Sequence, residues 1–137
     1  PMTDCLFCKI VRGEIPAAMV AETETCLAFN DIGPKAPVHV LVVPKQHIVS
    51  LADVGPEHDA LLGRMLGLAP RLMRELGVTN GFRTLINTGK DGMQEVQHLH
   101  MHVMPRHDGI ALLPPASRRE DVKVLEDNAT RLVAALG

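Results

Sequence analysis

The sequence predicts an α+β fold with a mainly antiparallel sheet, and three observations carry that prediction. Short apolar, β-branched runs are separated by polar turns, the pattern of paired strands. Two longer stretches, one central and one terminal, repeat apolar residues at helical spacing. Three histidines, His98, His100 and His102, alternate with apolar Leu99 and Met101, the period of a strand that turns its imidazoles to one face.

Taken in chain order, residues 5–13 begin apolar and end in Arg12-Gly13-Glu14, a short turn or helix. Residues 18–22 and 26–30 flank polar Thr23-Glu24-Thr25 and read as a strand pair with a tight connection. Residues 31–37 are rich in Gly and Pro and form a loop. Residues 38–43 are a strongly apolar strand interrupted by His39 and closed by Pro44. Between residues 56 and 76 the positions Leu61, Leu62, Met65, Leu66, Ala69, Leu72, Met73 and Leu76 recur at helical spacing. Pro56 suits the first turn of that helix and Gly77 its stop, whereas Pro70 is expected to kink it. Residues 82–87 form a further strand, 88–92 a glycine-rich loop, and the histidine strand ends at Pro105. Val122, Leu125, Ala129, Leu132, Val133 and Leu136 lie on one stripe of a terminal helix over residues 120–136, with Ser117 as a candidate N-cap. That helix is expected to pack against something.

A length of 137 residues fits one domain with a real core. Pro1, ahead of Met2, is set aside as a cloning remnant, so residues 2–137 are taken as a single domain with 117–137 as its C-terminal helical extension. The formal charge of −2 and the lack of a basic cluster argue against a nucleic acid polymer as partner. No apolar run approaches the ~20 residues that cross a bilayer, so no membrane is expected either. Thr3, Asp4 and Cys5 give no secretory signal, and three cysteines are an odd number, so a reducing cytoplasm is the expected location and disulfides are not. With no Trp or Tyr, a base could stack only on Phe7, Phe29 or Phe82.

Imidazoles titrate near neutrality, and neighbours on one strand face sit roughly 6 to 7 Å apart, close enough to surround one phosphate or one metal ion. Two chemistries fit such a row. Imidazoles can bind a metal that activates water, or one imidazole can attack phosphorus while its neighbours hold the phosphate and supply protons. The residues after the row, Val103-Met104-Pro105-Arg106, offer none of the Asp, His or Glu ligands that metal hydrolases add at short spacing. Upstream, Asn87 and the loop Gly89-Lys90-Asp91-Gly92-Met93-Gln94 offer amides and flexible backbone N–H groups, which suit phosphate. Phosphoryl chemistry therefore leads.

Several segments carry a family resemblance: Phe7-Cys8-Lys9-Ile10-Val11, residues 27–32, Ala36-Pro37-Val38-His39, residues 42–47, and above all residues 92–102 with the His-x-His-x-His motif. In these the chain resembles the histidine-triad (HIT) family, and its closest similarity is to the Hint-like nucleoside phosphoramidase branch of bacterial, zinc-containing type. The resemblance implies a HIT-like fold, with a mainly antiparallel five-stranded sheet, a central helix and a C-terminal helix. It implies a homodimer that hydrolyses purine nucleoside phosphoramidates or related nucleoside phosphates without an organic cofactor. His100 resembles the nucleophile, His102 the phosphate-binding neighbour and His39 a fourth histidine that orients the cluster and relays protons. Asn87 and the backbone of Gln94 and Glu95 would position the phosphate, and Asp31 would take the ribose hydroxyls. Leu6, Phe7, Ile10, Phe29, Ile32 and Leu41 resemble the base pocket, although Leu6, Ile10 and Leu41 read equally well as plain core.

Two departures bear on that implication. Glu95 stands where the best-known eukaryotic members have a serine near the phosphate, and since a carboxylate repels phosphate it is expected to point away or to give only its backbone N–H. Pro105-Arg106-His107 replaces a glycine pair. Cys5-x-x-Cys8 lacks the preceding strand a thioredoxin-like motif needs, so a zinc site is the alternative to two incidental cysteines. His47 and His98 match positions that complete a structural Cys₂His₂ zinc site in a bacterial branch of the family, while Cys26 reads as core. A dinucleoside polyphosphate hydrolase and a nucleotide-binding regulatory protein with incidental turnover are the alternative functions. Nucleotidyltransferases of the family usually carry glutamine at the position of His102. Gly63 and Gly67, four apart on the central helix, could form a dimer face or simply tolerate helix packing.

Overall fold

The computed structural model describes residues 4–31, 38–106 and 122–136. Five strands, β1 (Met19–Glu22), β2 (Cys26–Asn30), β3 (Val40–Pro44), β4 (Phe82–Leu85) and β5 (Met101–Pro105), form one sheet in the order β1-β2-β3-β5-β4. Every neighbouring pair is antiparallel. The helices are α1 (Leu6–Val11), α2 (Asp59–Glu75) and α3 (Val122–Leu136). Among the described residues no helix is long and apolar enough to cross a membrane.

The strands at the centre are apolar throughout because the sheet is covered on both faces. Cys26, Ala28, Val40, Val42, Met101 and Val103 pack with Met65, Leu68, Leu72 and Met73 of α2 on one side. Leu27, Phe29, Leu41 and Val43 pack with Phe7 of α1 on the other. Since side chains alternate along a strand, His39 and His102 share the parity of Leu41 and point to the α1 side. Cys26 is fully buried core, as its position suggested.

The central helix is shorter than its apolar pattern. Pro56–His58 form a 3-10 turn, and the α-helix begins at Asp59. It runs through Pro70 without interruption; the carbonyl that loses its partner there belongs to Leu66, which lies on an exposed face where water can serve it. Gly77 ends the helix at φ 70°, with Val78 N–H donating to the Met73 carbonyl and Gly77 N–H to that of Arg74, the Schellman arrangement. Strand β4 stops at Leu85, two residues before the expected end.

The expectation for the histidine strand changes. Strand β5 begins only at Met101, so of the three histidines His102 alone lies in the regular strand, while His98 and His100 lie ahead of it. The terminal helix is described over Val122–Leu136, and its described apolar side chains, including Val122, Leu132, Val133 and Leu136, are exposed on the single protomer. Ser117 and Glu120 lie outside the described residues.

Candidate active site and metal cluster

A cavity of about 710 Å³ opens on the α1 face of the sheet. Phe7 from α1, Phe29 from the end of β2, Leu41 from β3, and His100 and His102 from the approach to β5 and its first turn of chain line it. Leu6, Ile10, Asp31, Asn87 and Glu95 line it as well. The base-pocket candidates Leu6, Phe7, Ile10, Phe29 and Leu41 thus face one space, and Ile32 lies outside the described residues. Ile15, Pro16, Ala17 and Ala18 also line it, a wall missed from the sequence because the segment between α1 and β1 has no periodic pattern.

Phe7 organises the imidazoles. Its ring meets Phe29 edge-on at 5.4 Å, His100 at 5.2 Å and His98 at 5.9 Å. His100 Nδ1–H donates to the backbone carbonyl of His98 at 2.7 Å, which fixes the tautomer and leaves Nε2 with its lone pair. The His102 ring is 5.0 Å from that of His100, and its Nδ1 lies 2.7 Å from Nε2 of His39. Asp31 Oδ2 stands 3.6 Å from the same His39 nitrogen. His39 Nε2 thus has His102 Nδ1 within hydrogen-bond reach and the Asp31 carboxylate within ion-pair range, beside the His100 ring.

The loop before the triad is built differently from its sequence expectation. Gln94 is buried and is not among the described residues that line the cavity. Its Oε1 accepts from Gly89 N–H at 2.9 Å, and its Nε2 donates to the carbonyls of Val49 at 2.7 Å and Val96 at 2.9 Å. The amide that looked available to phosphate instead staples the loop, because those buried backbone groups need partners. Gly92 is required by space: a Cβ there would stand 2.2 Å from the carbonyl oxygen of Thr88. Glu95 is exposed and is among the residues that line the cavity.

Beside the cavity lies a second cluster. The Sγ atoms of Cys5 and Cys8 and the Nδ1 atoms of His47 and His98 all lie within 4.8 Å of one another. Cys5 Sγ is 3.4 Å and Cys8 Sγ 3.5 Å from His98 Nδ1, Cys8 Sγ is 3.2 Å from His47 Nδ1, and the two ring nitrogens are 3.3 Å apart. Cys5 caps α1, accepting from Cys8 N–H, so the helix start sets both sulfurs on one side. His98 Nε2–H donates to the Pro44 carbonyl at 2.8 Å, which turns a bare Nδ1 toward the sulfurs. Burial pushes His98 below the ordinary histidine value, against the opposing hydrogen bond to the Pro44 carbonyl and with His47 and His100 adding to the shift. Burial, and then Cys5 beside it, push the Cys8 thiol from 9.0 up to about 11. Two sulfurs and two imidazoles converging this way can hold a metal ion.

A family model described as the HIT domain matches residues 12–109. The chain belongs to the HIT family. It is 52% identical over 103 residues to Protein HitA of Neisseria gonorrhoeae, covering 75% of this chain and 96% of that one. It is 40% identical over 102 residues to the purine nucleoside phosphoramidase of Escherichia coli K12, covering 74% and 86%. The crystal structure of a HIT family hydrolase from Legionella pneumophila superimposes with a TM-score of 0.76 at 41% identity, covering 82% of this chain and all of that one. The Legionella structure shares the overall fold that here carries the cavity and the imidazoles.

Proposed function

We propose that this HIT protein is a nucleotide-binding hydrolase that cleaves purine nucleoside 5′-phosphoramidates through a nucleotidyl group carried on His100. The observation that carries the reading is the 2.7 Å hydrogen bond from His100 Nδ1–H to the His98 carbonyl, which presents Nε2 as the nucleophile on the wall of the cavity. The E. coli relative named as a purine nucleoside phosphoramidase supports the substrate class.

In the first step the His100 Nε2–P bond forms and the P–N bond to the leaving amine breaks. The amine departs with one added proton, drawn through the His39–His102 pair, while His102 Nε2 supports charge on a phosphate oxygen. In the second step water forms the new P–O bond, the Nε2–P bond breaks, and one proton returns to the pair. Overall, one P–N bond and one water give a nucleoside monophosphate and an amine. Phe7, Phe29 and Leu41 hold the base by shape, Asp31 takes the sugar hydroxyls, and Asn87 positions the phosphate.

Cys5, Cys8, His47 and His98 fit a structural zinc. Standard Zn–S and Zn–N bonds in a tetrahedron give N···N edges of about 3.3 Å and S···N edges of about 3.6 Å. The observed 3.3 Å, and 3.2, 3.4 and 3.5 Å, follow that pattern. A bound cation there supplies rigidity, and it favours the thiolate forms that burial alone resists. Because His98 contributes both a donor nitrogen to the cluster and the carbonyl that orients His100, the same residue ties the two sites together.

The test is incubation with adenosine 5′-phosphoramidate, followed by intact-mass analysis and detection of the released monophosphate. Turnover is expected, with a nucleotidyl adduct on His100 and a loss of about 10³-fold or more in His100→Ala. Release of monophosphate by His100→Ala at the parent rate would refute the assignment.

A further inference from the structure

We infer that Cys5 and Cys8 are a reversible dithiol–disulfide pair, and that a peroxide, by joining them, dismantles the four-residue metal cluster and loosens the cavity beside it. This rests on reading the cavity as a nucleotide site and the cluster as a structural zinc site, and it is independent of which phosphoramidate is cleaved.

All three cysteines are free, and the fold lets two of them meet. Cys26 lies in the core on the α2 side of the sheet, whereas Cys5 and Cys8 lie with α1 on the other side. Cys5 caps α1 and its carbonyl accepts from Lys9 N–H at 3.0 Å, so its Cα already sits on the helical path. A step of three residues on that path spans about 5 Å between Cα atoms, inside the range a disulfide bridges. The sulfurs start within 4.8 Å of each other and need to reach about 2.05 Å, which side-chain rotation at the helix start can supply. Cys5 is half-buried and Cys8 buried, so Cys5 Sγ is the sulfur a solute reaches and Cys8 Sγ the one that closes the bond. With hydrogen peroxide, attack by the Cys5 sulfur breaks the O–O bond and leaves a sulfenic acid; the Cys8 sulfur then displaces that oxygen as water. Two thiolates, one peroxide and two protons give one disulfide and two waters, with two electrons passing from sulfur to oxygen.

The new bond withdraws two of the four donors. Cys5 Sγ and Cys8 Sγ lie 3.4 and 3.5 Å from His98 Nδ1, and Cys8 Sγ lies 3.2 Å from His47 Nδ1. Once bonded to each other the sulfurs are no longer thiolate ligands, and the two imidazoles alone do not make a closed tetrahedral site. Two consequences reach the cavity. Phe7 stands between the two cysteines in sequence, 4% exposed and edge-on to Phe29 and His100, so reshaping the helix start moves the aromatic wall. His98, whose carbonyl accepts from His100 Nδ1–H at 2.7 Å, loses its sulfur neighbours and keeps the Pro44 carbonyl.

The test exposes the reduced, zinc-loaded full chain to hydrogen peroxide in the presence of a colorimetric zinc chelator. Thiols counted after denaturation should fall from three to one, and peptide mapping should find Cys5 and Cys8 linked with the loss of two hydrogens. About one zinc per chain should be released. Binding of adenosine 5′-monophosphate, followed by calorimetry, should weaken about tenfold, the size of one lost aromatic contact in the wall. Dithiothreitol with added zinc should restore it. Cys26→Ala should respond as the parent does, and Cys5→Ser, which keeps a capping oxygen on α1, should not respond. Three thiols surviving the peroxide, or a Cys5–Cys8 disulfide that forms with zinc retained or nucleotide affinity unchanged, overturns the inference. So does a loss of affinity that dithiothreitol fails to reverse, the mark of sulfoxide formation at a methionine such as Met93 on the cavity lining. Failure of the reduced parent to bind the nucleotide at all overturns the cavity reading, and the inference with it.

Discussion

Replacing Gln94 with alanine separates a loop staple from a phosphate ligand. The side chain is 8% exposed and makes three hydrogen bonds, to Gly89 N–H and to the carbonyls of Val49 and Val96. Each of the three bonds contributes about 1 kcal/mol net, so Gln94→Ala should lose about 3 kcal/mol. With a urea slope near 2 kcal/mol/M, the unfolding midpoint should fall by about 1.5 M. The assay is urea unfolding followed by circular dichroism at fixed protein concentration and fixed zinc. Gln94→Glu should be worse than alanine at neutral pH, because it replaces the donating Nε2 with an anion facing two carbonyl dipoles. A Gln94→Ala protein as stable as the parent but with a strongly raised KM would refute the reasoning, since that is the signature of a ligand to the substrate.

Other expectations follow from the same geometry. Elemental analysis of protein purified without chelator should find about one zinc per chain, and Cys8→Ala should abolish it and lower the melting temperature; a folded, metal-free parent would remove the site. Gly92→Ala should cost about 1 to 3 kcal/mol in the same urea assay, because its methyl group would meet the Thr88 carbonyl at 2.2 Å and the loop must shift. Gly63 and Gly67 have nothing within 4 Å of a Cβ built on them, so within one protomer a side chain is tolerated at either. If α2 forms a dimer face, Gly67→Gln should leave the protomer folded and convert a dimer to a monomer by sedimentation; a parent that sediments as a 14.9 kDa monomer contradicts the dimer.

What lay open in the sequence was what depends on local period and residue chemistry. Strand runs such as the one containing Val40 to Val43, the apolar spacing that defines α2 and the stop at Gly77 follow from side-chain alternation, helical repeat and positive φ, which neighbours along the chain dictate. The family resemblance led to the Cys5, Cys8, His47 and His98 grouping, which spacing alone left open. Tertiary structure decided where three other features went. His98 and His100 left the regular strand because one turns its ring toward two cysteines more than 80 residues away and the other hydrogen-bonds back to its neighbour's carbonyl. Gln94 was drawn inward by backbone groups near residues 49, 89 and 96 that needed partners. Glu95 lies among the residues that line the cavity, a placement that depends on which side of a folded loop faces the space. Sequence by itself determined the menu of imidazoles, sulfurs and amides; the long-range pairing of those groups, which satisfies buried donors and acceptors, decided which serve the cavity and which serve the fold.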